Sequence, residues 1–322
     1  MLQSKSSQFT LSPNGEILWQ EKLNNPLPGV AVARLEKGDS ALRPNLAISA
    51  NDQTSSIDQT QLLNQLKLWL KMHIAEILEP LVLLETPQGV EIKSDAVSVI
   101  AQRVYEGLGI VPRETLEDVI TGLIPETRAD LRAKKIRLGP VLAFIPALNK
   151  PAAVKLRALL WSLYNNQELP AKTPSDGIVS VRIEGDAPNE AYYRAIGYPL
   201  YGARAVRIDM LDRVISCIYD HADKGKFQAR HEMAEWLGCS IEDLYKVLEA
   251  MGHVKIFDPL DEVKPEVAVD DTKAEETPVP QVEEAALVTD ESPKDATEKP
   301  KDVKPELATF RLKKGKAFEK TG

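Results

Sequence analysis

The chain has 322 residues, 43% of them hydrophobic, and a formal net charge of -8 at pH 7, so it is long and apolar enough for a substantial core. Its first residues contain no apolar run of the signal-peptide kind, and no segment reaches the about 18 uninterrupted apolar residues of a membrane span. With only Cys217 and Cys239, a disulfide framework is excluded, and we expect a cytoplasmic protein without a membrane partner.

The first half of the chain is predicted to join a small β element to long helices. Short β-like runs separated by turn residues predict about three strands over 9–50. Apolar residues at helical spacing predict a long core helix over 60–84, broken near Pro80, and a second helix over 95–108. Shorter helices are predicted over 113–123 and 126–135.

Basic residues are concentrated between Ile124 and Leu160, where only Glu126 and Asp130 are acidic. Most charge runs are solvated helix faces. Here the charges flank a hydrophobic run, VLAFIPAL, so folding can gather them on one surface that follows a strand of phosphates. The predicted nucleic-acid-binding residues are Arg128, Arg132, Lys134, Lys135, Arg137, Lys150, Lys155 and Arg157.

The run RHEMAEWLGCSIEDLYKVLEAMG has the spacing of a helix-turn-helix, with Ala234, Gly238 and Leu244 at its small, turn and core positions. Ser240 with Asp243 predicts a capping box at the second helix. Glu242, Asp243 and Glu249 outnumber Lys246 there, which favours a structural or docking unit, although a major-groove reader stays open.

Beyond residue 258 the chain becomes acidic, and few large apolar residues remain. From Asp258 to Ala308 there are 16 acidic and 6 basic residues, and the last residues are basic. Such a composition cannot bury enough surface to offset its ordering entropy, which predicts a disordered tail over 258–322.

The candidate metal ligands and the tryptophans are predicted to have structural roles. A set of Cys217, His221, His231 and Cys239 can be written as metal ligands, but its spacing matches no standard zinc pattern, so no metal is predicted. The four tryptophans, Trp19, Trp69, Trp161 and Trp236, lie in apolar patterns that favour core packing, with base stacking as the alternative.

No catalytic constellation is recognisable. The sequence lacks a G-x-x-x-x-G-K-[ST] phosphate loop, an acidic Mg²⁺ box within a folded region, and a supported Ser-His-Asp or Cys-His arrangement. We therefore expect no catalytic residue and no cofactor in this chain.

The run RLGPVLAFIPALNKPAAVKLRALLWSLY resembles the region beyond the motor in the mitochondrial degradosome RNA helicase family and its alphaproteobacterial relatives. LSPNGEILW, WLKMHIAEILEPL, AYYRAIGYPLYGARAVRIDMLDRVI and FRLKKGKAF extend the resemblance over about residues 9–256 and the C-terminal end. It implies a superfamily-two helicase region that packs against two ATPase domains and helps to enclose nucleic acid. ATP and Mg²⁺ would belong to those domains, whose motifs are absent here.

The resulting interpretation is a mainly α protein with a small N-terminal β element, followed by a helix-turn-helix or winged-helix-like unit. The predicted divisions are a β element at 1–50, a helical domain at 51–170, a helix-turn-helix-like domain at 171–257 and the tail at 258–322. The predicted function is a non-catalytic helicase module that contacts RNA or single-stranded DNA and docks on a separately encoded motor. A stand-alone helix-turn-helix regulator and a degenerate split-gene fragment are the alternatives.

Overall fold

In the part of the chain that the structure describes, the fold is a mixture of helices with four small antiparallel sheets, which corrects the prediction of a mainly α protein with one β element. The computed structural model describes residues 1–87, 89–91, 94–184, 189–259 and 305–313. The helices are α1 (Asp52–Ser55), α2 (Gln59–Ile77), α3 (Glu79–Val82), α4 (Ala96–Glu106), α5 (Glu117–Ile120), α6 (Pro125–Ala133), α7 (Pro151–Tyr164), α8 (Glu190–Ala195), α9 (Ile208–His221), α10 (His231–Leu237) and α11 (Ile241–Ala250).

Except for β3, which has 11 residues, the strands are short. The strands are β1 (Phe9–Leu11), β2 (Glu16–Trp19), β3 (Val30–Ser40), β4 (Arg43–Ile48), β5 (Ile110–Pro112), β6 (Arg137–Leu138), β7 (Leu142–Phe144), β8 (Ser180–Arg182), β9 (Leu200–Tyr201), β10 (Arg204–Val206), β11 (Lys226–Gln228), β12 (Val254–Phe257) and β13 (Thr309–Arg311). The strand orders are β1-β2-β3-β4, β5-β7-β6, β8-β10-β9 and β11-β13-β12.

The N-terminal sheet and the first long helix share one core. Ile17 and Val32 are fully buried on the sheet, and Leu62 and Leu66 are fully buried on α2. Asp58 caps α2 by accepting hydrogen bonds from the backbone N–H groups of the helix's first turn. The helix ends before Pro80, and the separate turn of α3 follows, because proline has no N–H for a helix interior.

The basic segment, residues 124–160, contains α6, the strands β6 and β7, and most of α7. Strand β7 is entirely buried and lies between β5 and β6. Gly109 has φ 95°, and a Cβ atom there would lie 2.3 Å from Leu148, so this close approach requires glycine. Helix α7 begins with Pro151 in its first turn, as its sequence predicts.

The C-terminal unit combines α9, α10 and α11 with the sheet β11-β13-β12. Gly238, at φ 58°, forms the left-handed turn between α10 and α11. Ser240 caps α11 through the backbone N–H of Asp243, as predicted, but the Asp243 carboxylate binds arginines instead of closing a capping box.

Part of the predicted tail belongs to this unit. Strand β13 lies between β11 and β12, and Phe310 at its centre is fully buried, so residues 305–313 contradict a disordered tail over 258–322. The acidic stretch 260–304 and the end 314–322 lie outside the described residues. Ala308, Phe310 and Leu312 alternate with exposed or half-buried neighbours, which is the pattern of a strand with one buried face.

Candidate nucleic-acid interface

Four of the predicted binding residues lie together on α6 and the turn that follows it. Arg128 and Arg132 are four residues apart on the exposed face of this helix, and Lys134 and Lys135 extend the charge into the turn. Leu131 and Ile136, which are 1% and 2% exposed, hold the segment against the core from the opposite side. Burial of these two apolar side chains therefore turns the four cations outward. We call Arg128, Arg132, Lys134 and Lys135 the basic face.

The cations of the basic face are not neutralised by carboxylates within the described part of the chain. None of the four makes an ion pair there, and neither does exposed Lys150 at the start of α7. Glu126 and Asp130 are also exposed on α6, so the face is cationic but not purely so. Unpaired guanidinium and ammonium groups are the groups that bind phosphate oxygens.

Two further predicted residues have internal partners. The Lys155 Nζ lies 2.8 Å from a carboxylate oxygen of Asp176, and both side chains are more than half exposed. Arg137 pairs with Asp212, a buried residue of α9. Burial raises the pKa of the Asp212 carboxyl, and the neighbouring Arg137 charge opposes that rise. Both cations must share or exchange their partners to bind a phosphate.

Arg157 is not a surface residue, which corrects its prediction as a phosphate ligand. Its side chain is 1% exposed and donates hydrogen bonds only to backbone carbonyl oxygens. The acceptors belong to Leu108, Leu148, Ala153, Ala195 and Ile196. Burial lowers the pKa of Arg157 to about 9, so the guanidinium still carries its proton at neutral pH. Arg157 joins α7 to α8 and to the loops before β5 and α7.

The helix-turn-helix-like pair does not present a basic surface. On α11, Glu242, Lys246 and Glu249 are exposed, and the Lys246 Nζ lies 2.7 Å from Glu242. Tyr245 is buried, and its hydroxyl accepts a hydrogen bond from the backbone N–H of Ala308. The exposed face of α11 therefore carries a net negative charge, which does not favour contact with the phosphates that flank a DNA groove.

Asp243 anchors that pair to the sheet β8-β10-β9. It binds Arg182 of β8 and Arg204 of β10, at 2.7 Å and 2.8 Å. Arg204 also donates to the Ser180 hydroxyl, whose own proton goes to the Leu237 carbonyl. Neither arginine carries a local sequence signal for this role, because their shared partner lies far along the chain.

The cysteines and histidines do not converge on a metal site in the described residues. Cys217 Sγ and His221 Nδ1 are 3.6 Å apart, one helical turn from each other. His231 Nε2 instead lies 2.8 Å from the Pro305 carbonyl. Across the described ranges, no helix combines the length and apolar character that crossing a bilayer requires.

Comparison with known proteins identifies no relative. No family model matches the chain, and neither a curated protein nor a solved structure matches it.

Proposed function

We propose that this chain is a nucleic-acid-binding module of the superfamily-two helicase type, which contacts RNA or single-stranded DNA through the basic face. The observation that carries the proposal is the outward placement of Arg128, Arg132, Lys134 and Lys135 without carboxylate partners among the described residues. The sequence resemblance adds the helicase context. The acidic exposed face of α11 favours this proposal over a duplex-reading regulator.

The mechanism is electrostatic. A phosphate chain releases condensed counterions when cations replace them, and for a single strand the logarithm of the affinity falls with a slope of about -0.7 per phosphate against the logarithm of salt concentration. Four engaged cations correspond to a slope of about -3. Binding of this kind positions a strand without reading its sequence.

The wider assignment rests on the sequence resemblance. It has the module pack against the ATPase domains of a helicase, which would bind ATP and Mg²⁺ and supply the movement along the strand. The proposed location is the cytoplasm, in keeping with two free cysteines. ATP turnover by the purified chain itself would contradict this division of roles.

The test is a salt titration of strand binding. Fluorescence anisotropy with labelled oligouridine and oligothymidine is measured for the full chain, for Arg128→Gln/Arg132→Gln and for the control Lys67→Gln/Lys71→Gln. Both double variants remove two exposed cations four residues apart on a helix. We expect only the first to weaken binding and to reduce the slope by about 1.4. Equal losses in both variants, or affinity that is independent of salt, would contradict the proposal.

A further inference from the structure

A groove of about 610 Å³ opens on the side of the molecule where four segments meet. Its walls are the turn between β3 and β4, the end of α4 with β5, the last turn of α7, and one face of α8. Neither the basic face nor the helix-turn-helix-like pair contributes to it. Helix α4 links the groove to the basic face, because α6 packs against α4.

Three half-buried aromatic side chains line the groove: Tyr105, Trp161 and Tyr164. The ring of Tyr192 packs edge-on against Trp161, and the two ring centroids are 5.2 Å apart. The Lys37 ammonium lies 5.0 Å from the centroid of the Tyr164 ring. Aromatic rings that are fixed on one side and accessible on the other are suited to stacking a planar ligand.

Polar groups in the same groove lack protein partners. Arg194, on α8, makes no ion pair with any described residue. Ser40 also lines the groove, but its hydroxyl oxygen is buried and has no hydrogen-bond partner in the described chain. The lining acid, Glu106, accepts a hydrogen bond from Gln102.

We propose that the groove binds a nucleobase of a single strand, stacked on Trp161 and Tyr164, with Arg194 facing the adjoining phosphate. An apolar peptide side chain would use the aromatic walls but would leave the Arg194 guanidinium without an anion. A nucleotide uses both, since it joins a planar ring to an anion. The inference deepens the proposed function and rests on it for the identity of the polymer.

The experiment separates base binding from phosphate binding. The full chain is titrated with a 12-nucleotide oligouridine, with an abasic strand of the same length, and with uridine monophosphate. We expect the intact strand to bind roughly tenfold more tightly than the abasic strand, since each stacked base adds a contribution of that order. Tyr164→Leu should remove most of that ratio. Tyr219→Leu, which changes an exposed tyrosine of α9, should leave it unchanged.

A second variant guards against misfolding at the first. Trp161→Phe keeps an aromatic ring against Tyr192 and reduces the stacking area, so the ratio should fall partway while the unfolding transition remains cooperative. Arg194→Gln should weaken the binding of uridine monophosphate, measured by saturation-transfer NMR, and should leave the binding of uridine unchanged.

The outcomes distinguish this inference from the proposed function. Equal affinity for intact and abasic strands overturns the groove assignment and leaves the basic face as the binding site. Uridine monophosphate binding that Tyr164→Leu abolishes, in a chain that binds no strand, supports the groove and contradicts the proposed function. Binding of N-acetyl-phenylalanyl-leucinamide without any binding of the nucleotide would identify a peptide site and overturn the inference.

Discussion

The backbone N–H of Lys313 donates a hydrogen bond to Nδ1 of His253, at 3.1 Å, and so connects the end of β13 to the loop after α11. His253 is 8% exposed, and its ring contacts Phe227 edge-on. The imidazole must be unprotonated at Nδ1 to accept this bond. The C-terminal strand is therefore held by a hydrogen bond that protonation of His253 at Nδ1 would break.

Acidification should loosen the C-terminal unit through His253. Burial, with a smaller effect from the Lys313 charge, lowers the pKa of His253 from 6.5 to about 4. Because the unfolded chain takes up this proton first, the stabilising contribution is complete above pH 6.5 and is lost as the pH falls toward about 4. Because solvent screens part of this effect, urea unfolding across that range should show a loss of about 1–2 kcal/mol, which the His253→Asn substitution largely removes.

The His253→Asn variant keeps an acceptor for the Lys313 N–H but does not titrate. His73, whose pKa is also lowered by burial, is present in both proteins and cancels in the comparison. Identical pH profiles for the two proteins would exclude His253 as the source of the effect.

Removing the Asp243 carboxylate should weaken the joint between α11 and the sheet β8-β10-β9. Asp243→Asn leaves Arg204, whose side chain is 12% exposed, without its charged partner. We expect the free energy of unfolding to fall by about 2 kcal/mol, measured by chemical denaturation at neutral pH. Glu242→Gln is the control, because it changes the neighbouring exposed carboxylate; an equal effect there would argue against a special role for Asp243.

Substitution of Arg157 should affect folding and not strand binding. Methionine fills a similar volume but removes the donor from four buried carbonyl oxygens outside the hydrogen bonding of α7, so Arg157→Met should cost about 3 kcal/mol or more. Arg157→Lys should be intermediate, because an ammonium has three donors. Lys155→Met, two residues away on the exposed side of α7, should stay within about 0.5 kcal/mol.

Binding by the folded fraction separates this role from phosphate contact. The affinity of the folded molecules for the strand should be unchanged in Arg157→Met. If Arg157 instead contacted phosphate at the surface, its substitution would lower this affinity and leave the stability unchanged. A variant that folds normally but binds weakly would show that Arg157 reaches the strand.

The sequence predicted those features that depend on only a few neighbouring residues. The break at Pro80 and the glycine turn between α10 and α11 follow from backbone chemistry within a few residues. Strands of two or three residues, such as β6 and β9, are too short to show an alternating pattern. Their sheets are completed by strands far along the chain, since β5 pairs with β7 and β8 pairs with β10. Most strands of the small sheets were therefore missed, and the fold-class prediction was wrong.

Arg157 illustrates a signal that was present but outweighed. Ala153, Val154 and Leu160 lie one turn from it on α7 and are all buried, so helical spacing already placed Arg157 on the apolar face. The number of charges in the segment favoured a surface reading. The basic face was readable from sequence, whereas the groove around Trp161 was not, since its walls come from segments far apart in the chain.

The role of β13 can be tested with two phenylalanines of the same sheet. Phe310 is fully buried, stacked on Phe227 at 5.6 Å and near Tyr245, whereas Phe257 on β12 is 45% exposed. Phe310→Ala should destabilise the chain by about 3–5 kcal/mol, because it opens a cavity between β11 and α11, and Phe257→Ala should cost far less. Thermal unfolding measures both. Equal small effects would mean that the strand contributes little to the unit, because a buried aromatic ring that supports the core cannot be removed without loss of stability.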